Sequence, residues 1–298
     1  MQRLDLKVGF SCNSKCLFCV QGDKRIQFKD KDEQELRGLI TRNYERGIRE
    51  IVFTGGECTI RQDLLGLIAF ARCLGYQHIQ IQTNGRRFFY LDFCKACILA
   101  GANEFALALH GPNAQVHDGL TQAKGSFDQT AQGIKNLKML GQKILMNTVI
   151  TNQNYKHLPE LARLFVSLNV DQFQLAFIHI LGSAGKNKEL VVPRKSEIMP
   201  YVKKALDIGI DANINVMTEA IPYCFMQGYE QYVAEKIIPM TRVEDATWVV
   251  EDYTKYRLTE GKIKQQKCAT CSYNAVCEGP WKEYPELYGW DEFAPRDD

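Results

Sequence analysis

From residue 4 to about residue 208, short β-type runs alternate with amphipathic helical runs, and that alternation restricts the chain to very few folds. Residues 4–10 precede a charged amphipathic stretch at 32–46, 50–54 lead to 64–74, and 78–83 lead to 90–100. The pattern continues from 104–109 to 127–140, from 144–150 to 158–168, and from 172–180 to 197–208. Six consecutive strand–helix units require right-handed crossovers, and so a parallel sheet with helices outside it. Gly47, Gly75, Gly101 and Gly141 stand where helices should end, as left-handed caps do. The fold class is therefore α/β: a curved six-stranded sheet, a partial (β/α)6 barrel, with chemistry expected at the C-terminal ends of its strands. Past residue 210 the alternation stops. Residues 211–298 are rich in Tyr, Trp and Cys, and no low-complexity linker precedes them. Two units are expected, a core at 1–210 and a small cysteine-rich C-terminal domain at 211–298 docked on it.

The 298 residues are 45% apolar and 24% charged, the balance of an ordinary globular protein. A net charge of +2 gives no concentrated basic face for nucleic acid, and Lys186–Lys188 and 262–267 read as solvated loops. No segment approaches the roughly 18 apolar residues of a membrane span. The N-terminus lacks a signal-peptide hydrophobic region, so a cytoplasmic location and no membrane partner are expected. Eleven cysteines would then be thiols or metal ligands rather than disulfides, and seven of them fall into two sets.

The first set is Cys12-Asn-Ser-Lys-Cys16-Leu-Phe-Cys19, a C-x3-C-x2-C run just after the first strand. Three thiolates on one tight loop can hold three corners of a [4Fe–4S] cube, leaving the fourth iron for chemistry. Zinc more often takes a C-x2-C pair matched by a second pair nearby. On this run the chain resembles the radical SAM superfamily. The resemblance implies that S-adenosylmethionine (SAM) chelates the open iron and that its reductive cleavage yields a 5′-deoxyadenosyl radical. Cys12, Cys16 and Cys19 become the catalytic cluster ligands, and Phe18 an aromatic packed near the adenine. A flavodoxin or ferredoxin is implied as reductant.

Thr54-Gly55-Gly56-Glu57 follows the second strand, where two residues without Cβ let backbone approach a ligand closely. It resembles the family's GGE motif, which contacts the SAM amino group, so Gly55, Gly56 and Glu57 join the cofactor site. The family usually continues with proline where this chain has Cys58, which reads as a small buried thiol or as a thiol near the cluster. Asn84, in Thr83-Asn84-Gly85, is placed by the same resemblance at SAM or in a plain turn. Asn147, an odd choice for a buried parallel strand, is expected to face the barrel interior and SAM. Ser183, in Gly182-Ser183-Ala184, is a candidate adenine platform. His110 and His117 follow the fourth strand, as substrate-proton handlers or as part of the SAM shell. Cys73, Cys94 and Cys97 read as core thiols.

The second set is Cys268-Ala-Thr-Cys271, Cys277 six residues on, and Cys224 upstream. Its spacing resembles the auxiliary-cluster region of the SPASM/twitch branch, which implies a second [4Fe–4S] cluster held by Cys224, Cys268, Cys271 and Cys277. Four thiolates also satisfy tetrahedral zinc. Alternatively, Cys224 is a hydrogen-atom donor and not a ligand. Tail aromatics such as Trp248, Tyr284 and Trp290 would shield the cluster. The function so implied is a radical SAM oxidoreductase: it abstracts a substrate hydrogen atom and passes an electron to the auxiliary cluster. A peptide is the first substrate reading, in ribosomal peptide or peptide-derived cofactor maturation. Dehydrogenation or rearrangement of a small molecule, such as an amino sugar or nucleotide, is the second. A non-catalytic iron–sulfur carrier or assembly protein is the third. A monomer is the default oligomeric state.

Overall fold

The computed structural model describes residues 2–297. Its sheet has nine strands: β1 (Arg3–Lys7), β2 (Glu50–Thr54), β3 (His78–Thr83), β4 (Glu104–Ala108), β5 (Ile144–Ile150), β6 (Gln172–Phe177), β7 (Asn215–Glu219), β8 (Thr241–Glu244) and β9 (Val249–Val250). The order is β7-β6-β5-β4-β3-β2-β1-β8-β9. Every pairing is parallel except β8 with β9.

Alternation along each strand separates two faces. Leu6, Phe53, Ile81, Phe105 and Ile144 are register neighbours, and all are sealed from solvent. Onto that face pack helices with apolar stripes, such as Leu158–Ser167, which buries Leu158, Leu161, Ala162 and Phe165 at helical spacing. The other face carries Asp5, Val52, Gln80 and Glu104 in one row and Ala108, Asn147, Gln174 and Met217 in another. This second face is polar and partly wet. In a flat sheet β1 and β7 would lie six spacings, or about 29 Å, apart. The Tyr253 hydroxyl nevertheless feels both Asp5 of β1 and Glu219 of β7, so the sheet curls around a lumen that Tyr253 enters.

The expected α/β partial barrel is present, with glycines of positive φ at positions 47, 75, 101 and 141. The sheet does not end with its sixth strand. β7, β8 and β9 lie past residue 210 and extend the same sheet, β7 beside β6 and β8 beside β1. These strands have two to five residues, and short 3-10 turns rather than a long helix follow β7, so the sequence alternation that marks the first six units is missing there. Among the described residues no helix is long and apolar enough to cross a membrane.

Candidate functional site

The loop that carries Cys12, Cys16 and Cys19 leaves the C-terminal end of β1 and is anchored from four directions. Lys15 N and Leu17 N donate to Thr121 O and Leu120 O, at 2.9 and 3.0 Å. Arg25 Nη1 holds Ser14 O at 2.6 Å, and Arg86 Nη1 holds Asn13 O. Asn187 Nδ2 donates to Leu17 O at 2.9 Å, and Ser183 N donates to Cys19 O at 2.9 Å. The three thiols are half-buried. Burial, and then the facing Cys19 and Cys12 thiols, push Cys16 up to about 12. Burial likewise raises Cys12. Cys12 and Cys16 thus resist ionisation until positive charge arrives, and the three thiols together are the donor set an iron–sulfur cluster requires.

The glycines of the β2 loop have a reason that spacing could not show. A Cβ on Gly55, whose φ is +121°, would stand 2.2 Å from Gly9 O. One on Gly56 would stand 2.3 Å from Ser11 O. Gly56 N and Glu57 N donate to those carbonyls, both at 2.8 Å, so the glycines let two loops join. The Glu57 carboxylate is 2% exposed and fully used. It accepts from Thr59 N at 3.0 Å, Thr59 Oγ1 at 2.5 Å, Thr83 Oγ1 at 2.6 Å and Asn84 N at 2.7 Å. Asn84 turns its amide to Asn13 Oδ1 at 2.6 Å and accepts from Arg86 N at 3.1 Å. Asn84 thus braces the cysteine loop from the end of β3, and Glu57 holds Asn84 in place from the end of β2.

Phe18 is 7% exposed and meets the His110 ring edge-on, with centroids 4.6 Å apart. His110 is a core histidine: its Nδ1 accepts from Val149 N at 3.2 Å, and its backbone N–H donates to His117 Nδ1 at 3.0 Å. Burial, aided by His117, holds it well below its ordinary value, so it is neutral. Asn147 lies on the inner face with its Oδ1 buried and unpartnered. Ser183 sits against the loop just past Cys19, and Gly22 leaves the space its Oγ needs. Cys58 is a sealed core thiol on Gln82 O, raised by burial.

Cys224, Cys268, Cys271 and Cys277 line one pocket, closed by Tyr223, Trp290 and Phe293. Burial raises Cys224 to about 12, with the Cys277, Cys268 and Cys271 thiols adding to it. Backbone donors already point at two of the sulfurs: Gly279 N at Cys277 Sγ and Arg296 N at Cys271 Sγ, both at 3.4 Å. Among the described residues, no three His, Cys, Asp or Glu side chains converge closely enough to hold a single metal ion.

Sequence reasoning missed the rim between β6, β7 and the tail. His179 lies just past β6, stacked on Trp281 with centroids 3.8 Å apart, and its Nε2 is 3.6 Å from Glu283 Oε2. Glu219 ends β7 on the inner face and accepts a hydrogen bond from Gln174 Nε2. The position of His179 at a strand end was a signal available in the sequence. Glu219 carried none until β7 was seen.

The family model of the radical SAM superfamily matches residues 6–165, more than half of the chain. A probable GTP 3′,8-cyclase of Saccharolobus islandicus is 28% identical over 207 residues, which cover 67% of this chain and 65% of that relative. An AdoMet-dependent heme synthase of Oleidesulfovibrio alaskensis is 28% identical over 311 residues, covering 90% and 79%. Among solved structures, SuiB of Streptococcus suis bound to the precursor peptide SuiA has a TM-score of 0.69 at 16% identity, covering 93% of this chain and 71% of that one. Native anSMEcpe with bound AdoMet and Cp18Cys peptide has a TM-score of 0.67 at 13% identity, covering 100% and 92%. At those identities the two structures speak for the fold, which is the same partial barrel.

Proposed function

Because the chain belongs to the radical SAM superfamily, whose members use a [4Fe–4S] cluster and SAM, we propose that it is an oxidoreductase of the SPASM/twitch type acting on a peptide. In this reading Cys12, Cys16 and Cys19 hold the catalytic cluster, and Cys224, Cys268, Cys271 and Cys277 hold an auxiliary one. When bound, the first cluster with SAM supplies a radical that abstracts a hydrogen atom, and the second offers a place for the electron that net oxidation releases.

The chain's own residues hold and orient. Phe18 and Ser183 would lie at the bound cofactor beside the cysteine loop and Asn147 would face it from β5, while Asn84, held by Glu57, braces the loop from β3. Tyr223, Trp290 and Phe293 line the same pocket as the second thiol set. The observation that carries the proposal is the convergence of four distant cysteines on one pocket, with backbone N–H groups already aimed at two sulfurs. The peptide reading draws support from the fold of SuiB and anSMEcpe, described with peptides, which extends over the tail as well as the barrel. A small-molecule substrate is the second reading. It rests on the heme synthase relative, which aligns with 90% of this chain.

The test is iron and sulfide content of anaerobically reconstituted protein beside the Cys12/Cys16/Cys19→Ala variant, with 5′-deoxyadenosine measured in both. About eight irons falling to about four, with SAM cleavage lost, is the expected result for two four-iron clusters. About four irons falling to zero, with zinc retained, would overturn the auxiliary-cluster assignment.

A further inference from the structure

The inner face of the sheet carries carboxylates that are neutralised one by one, with a single exception. Asp5 pairs with Lys7 at 3.0 Å, Glu50 with Arg3 at 3.3 Å, and Glu104 with Lys143 at 3.4 Å. Glu219, at the C-terminal end of β7, has only the neutral Gln174 amide as hydrogen-bond partner and no ion pair among the described residues. Behind it stands a second carboxylate, Glu235. That group is committed to Lys262 at 2.7 Å and to Ala220 N at 2.8 Å through one oxygen, and its Oε2 is buried without a partner.

Lys262 in turn holds Glu278 at 2.8 Å, and Arg257 grips Glu278 through two bonds of 2.9 Å. Lys262 Nζ also lies 5.1 Å over the Trp281 ring, which stacks on His179 with Glu283 beside it. Three carboxylates, Glu219, Glu235 and Glu278, thus share two cations, Lys262 and Arg257, while Glu283 stands beside His179 and Lys282. Lys195, sealed against Phe177 and Ala220 O, forms no ion pair with any of them, and burial lowers it below its ordinary value. One carboxylate, Glu219, is left without a paired cation among the described residues. Burial and the adjacent Glu235 raise Glu219 above the ordinary glutamate value, as uncompensated negative charge does.

An independent sign of a ligand comes from neutral groups. Trp281 is 3% and Tyr223 is 2% exposed, and neither Trp281 Nε1 nor Tyr223 OH has a partner. Buried donors are seldom left unmade, at a cost of roughly 1–3 kcal/mol each. Unused acceptors with surplus negative charge ask for a cationic nitrogen. Unused donors beside them ask for a carbonyl on the same molecule, and a peptide bearing Lys or Arg has both.

We propose that the rim between β6, β7 and the tail is a substrate-side pocket in which Glu219, backed by Glu235, receives an ammonium or guanidinium group of the substrate. This deepens the peptide reading above and rests on it.

The experiment is anaerobic calorimetry of the reconstituted, SAM-loaded protein with three small probes. These are Nα-acetyl-lysine methylamide, its norleucine counterpart, and the same lysine with its side-chain amine acetylated. The lysine probe is expected to bind at least tenfold more tightly than the other two, the scale of one charge-assisted hydrogen bond. In Glu219→Gln the preference should fall to within twofold, and Glu219→Asp should retain most of it. Equal binding of the three probes to wild type overturns the pocket, whether or not the variants fold. So does an undiminished preference in a Glu219→Gln protein of wild-type iron content. The two proposals fail separately: wild type that releases no 5′-deoxyadenosine under strong reductant defeats the enzymatic reading, whereas SAM cleavage without charge preference defeats only the pocket.

Discussion

Glu57 shows how one side chain fixes the relation of two strand ends. Its Oε1 takes three hydrogen bonds and its Oε2 takes Asn84 N. In Glu57→Gln, whichever way the amide turns, an NH2 group faces an N–H donor. The expected loss is about 1–3 kcal/mol in urea unfolding, with weaker SAM binding by equilibrium dialysis. Wild-type affinity in this variant would show that the bracing is dispensable. Gly55 makes the complementary case. Gly55→Ala combines a left-handed penalty with a clash on Gly9 O and should cost about 3 kcal/mol. Gly125→Ala, at φ +78° with no atom within 4 Å, should cost only about 1 kcal/mol. Equal losses in the two variants would mean that the close approach is unimportant. Gly55 was legible in the sequence as a glycine that lets backbone approach closely, but its partner was not. Which atom fills the missing Cβ's place is a property of tertiary packing, here of the cysteine loop's backbone.

At the scale of elements, sequence patterning succeeded where a strand was followed by a long helix and failed where it was not. The helix expected at 127–140 appears at Ser126–Met139, shifted by one residue. Its start is set by Asp118, which accepts from Gly125 N at 2.6 Å, Ser126 Oγ at 2.8 Å and Phe127 N at 2.8 Å. Burial works to raise Asp118, but those bonds outweigh it and hold the carboxyl below its ordinary value. A lowered folded-state pKa gives stability that is present above the unfolded value near 4 and is lost as pH falls through the folded value. Asp118→Asn should therefore cost about 1 kcal/mol at pH 7, and the gap from wild type should narrow as the solution is acidified below pH 4. A gap that stays constant to pH 3 would remove Asp118 from the acid response. β7 illustrates the failure. Asn-Val-Met-Thr-Glu is short, ends in a charge and leads into turns, so only pairing with β6 identifies it. Its last residue, Glu219, was invisible for the same reason.

At the scale of the whole molecule, a buried ionic knot within the tail reaches the barrel at the end of β7. Arg257 and Lys262 have side chains 1% exposed and share Glu278, which is itself 8% exposed. Lys262 also reaches Glu235, which holds Ala220 N just past β7. The partners lie 16 to 27 residues apart in a segment without periodicity, so no sequence pattern announces them, although the docking of the tail was itself expected. Removing one member of such a knot leaves the others buried and unpaired, at roughly 3–5 kcal/mol. The exposed helical pair Glu33 and Arg37 is worth at most about 0.5 kcal/mol by comparison. Glu278→Gln should therefore lower the unfolding midpoint markedly and loosen the tail to proteolysis, while Glu33→Gln leaves both near wild type. Because Glu278 adjoins Cys277, the same change should cost about half the iron, and the loss should spare the cluster at Cys12, Cys16 and Cys19. A Glu278→Gln protein with full iron and an unchanged midpoint would mean that the aromatic packing around Tyr284 and Phe293 holds the tail unaided.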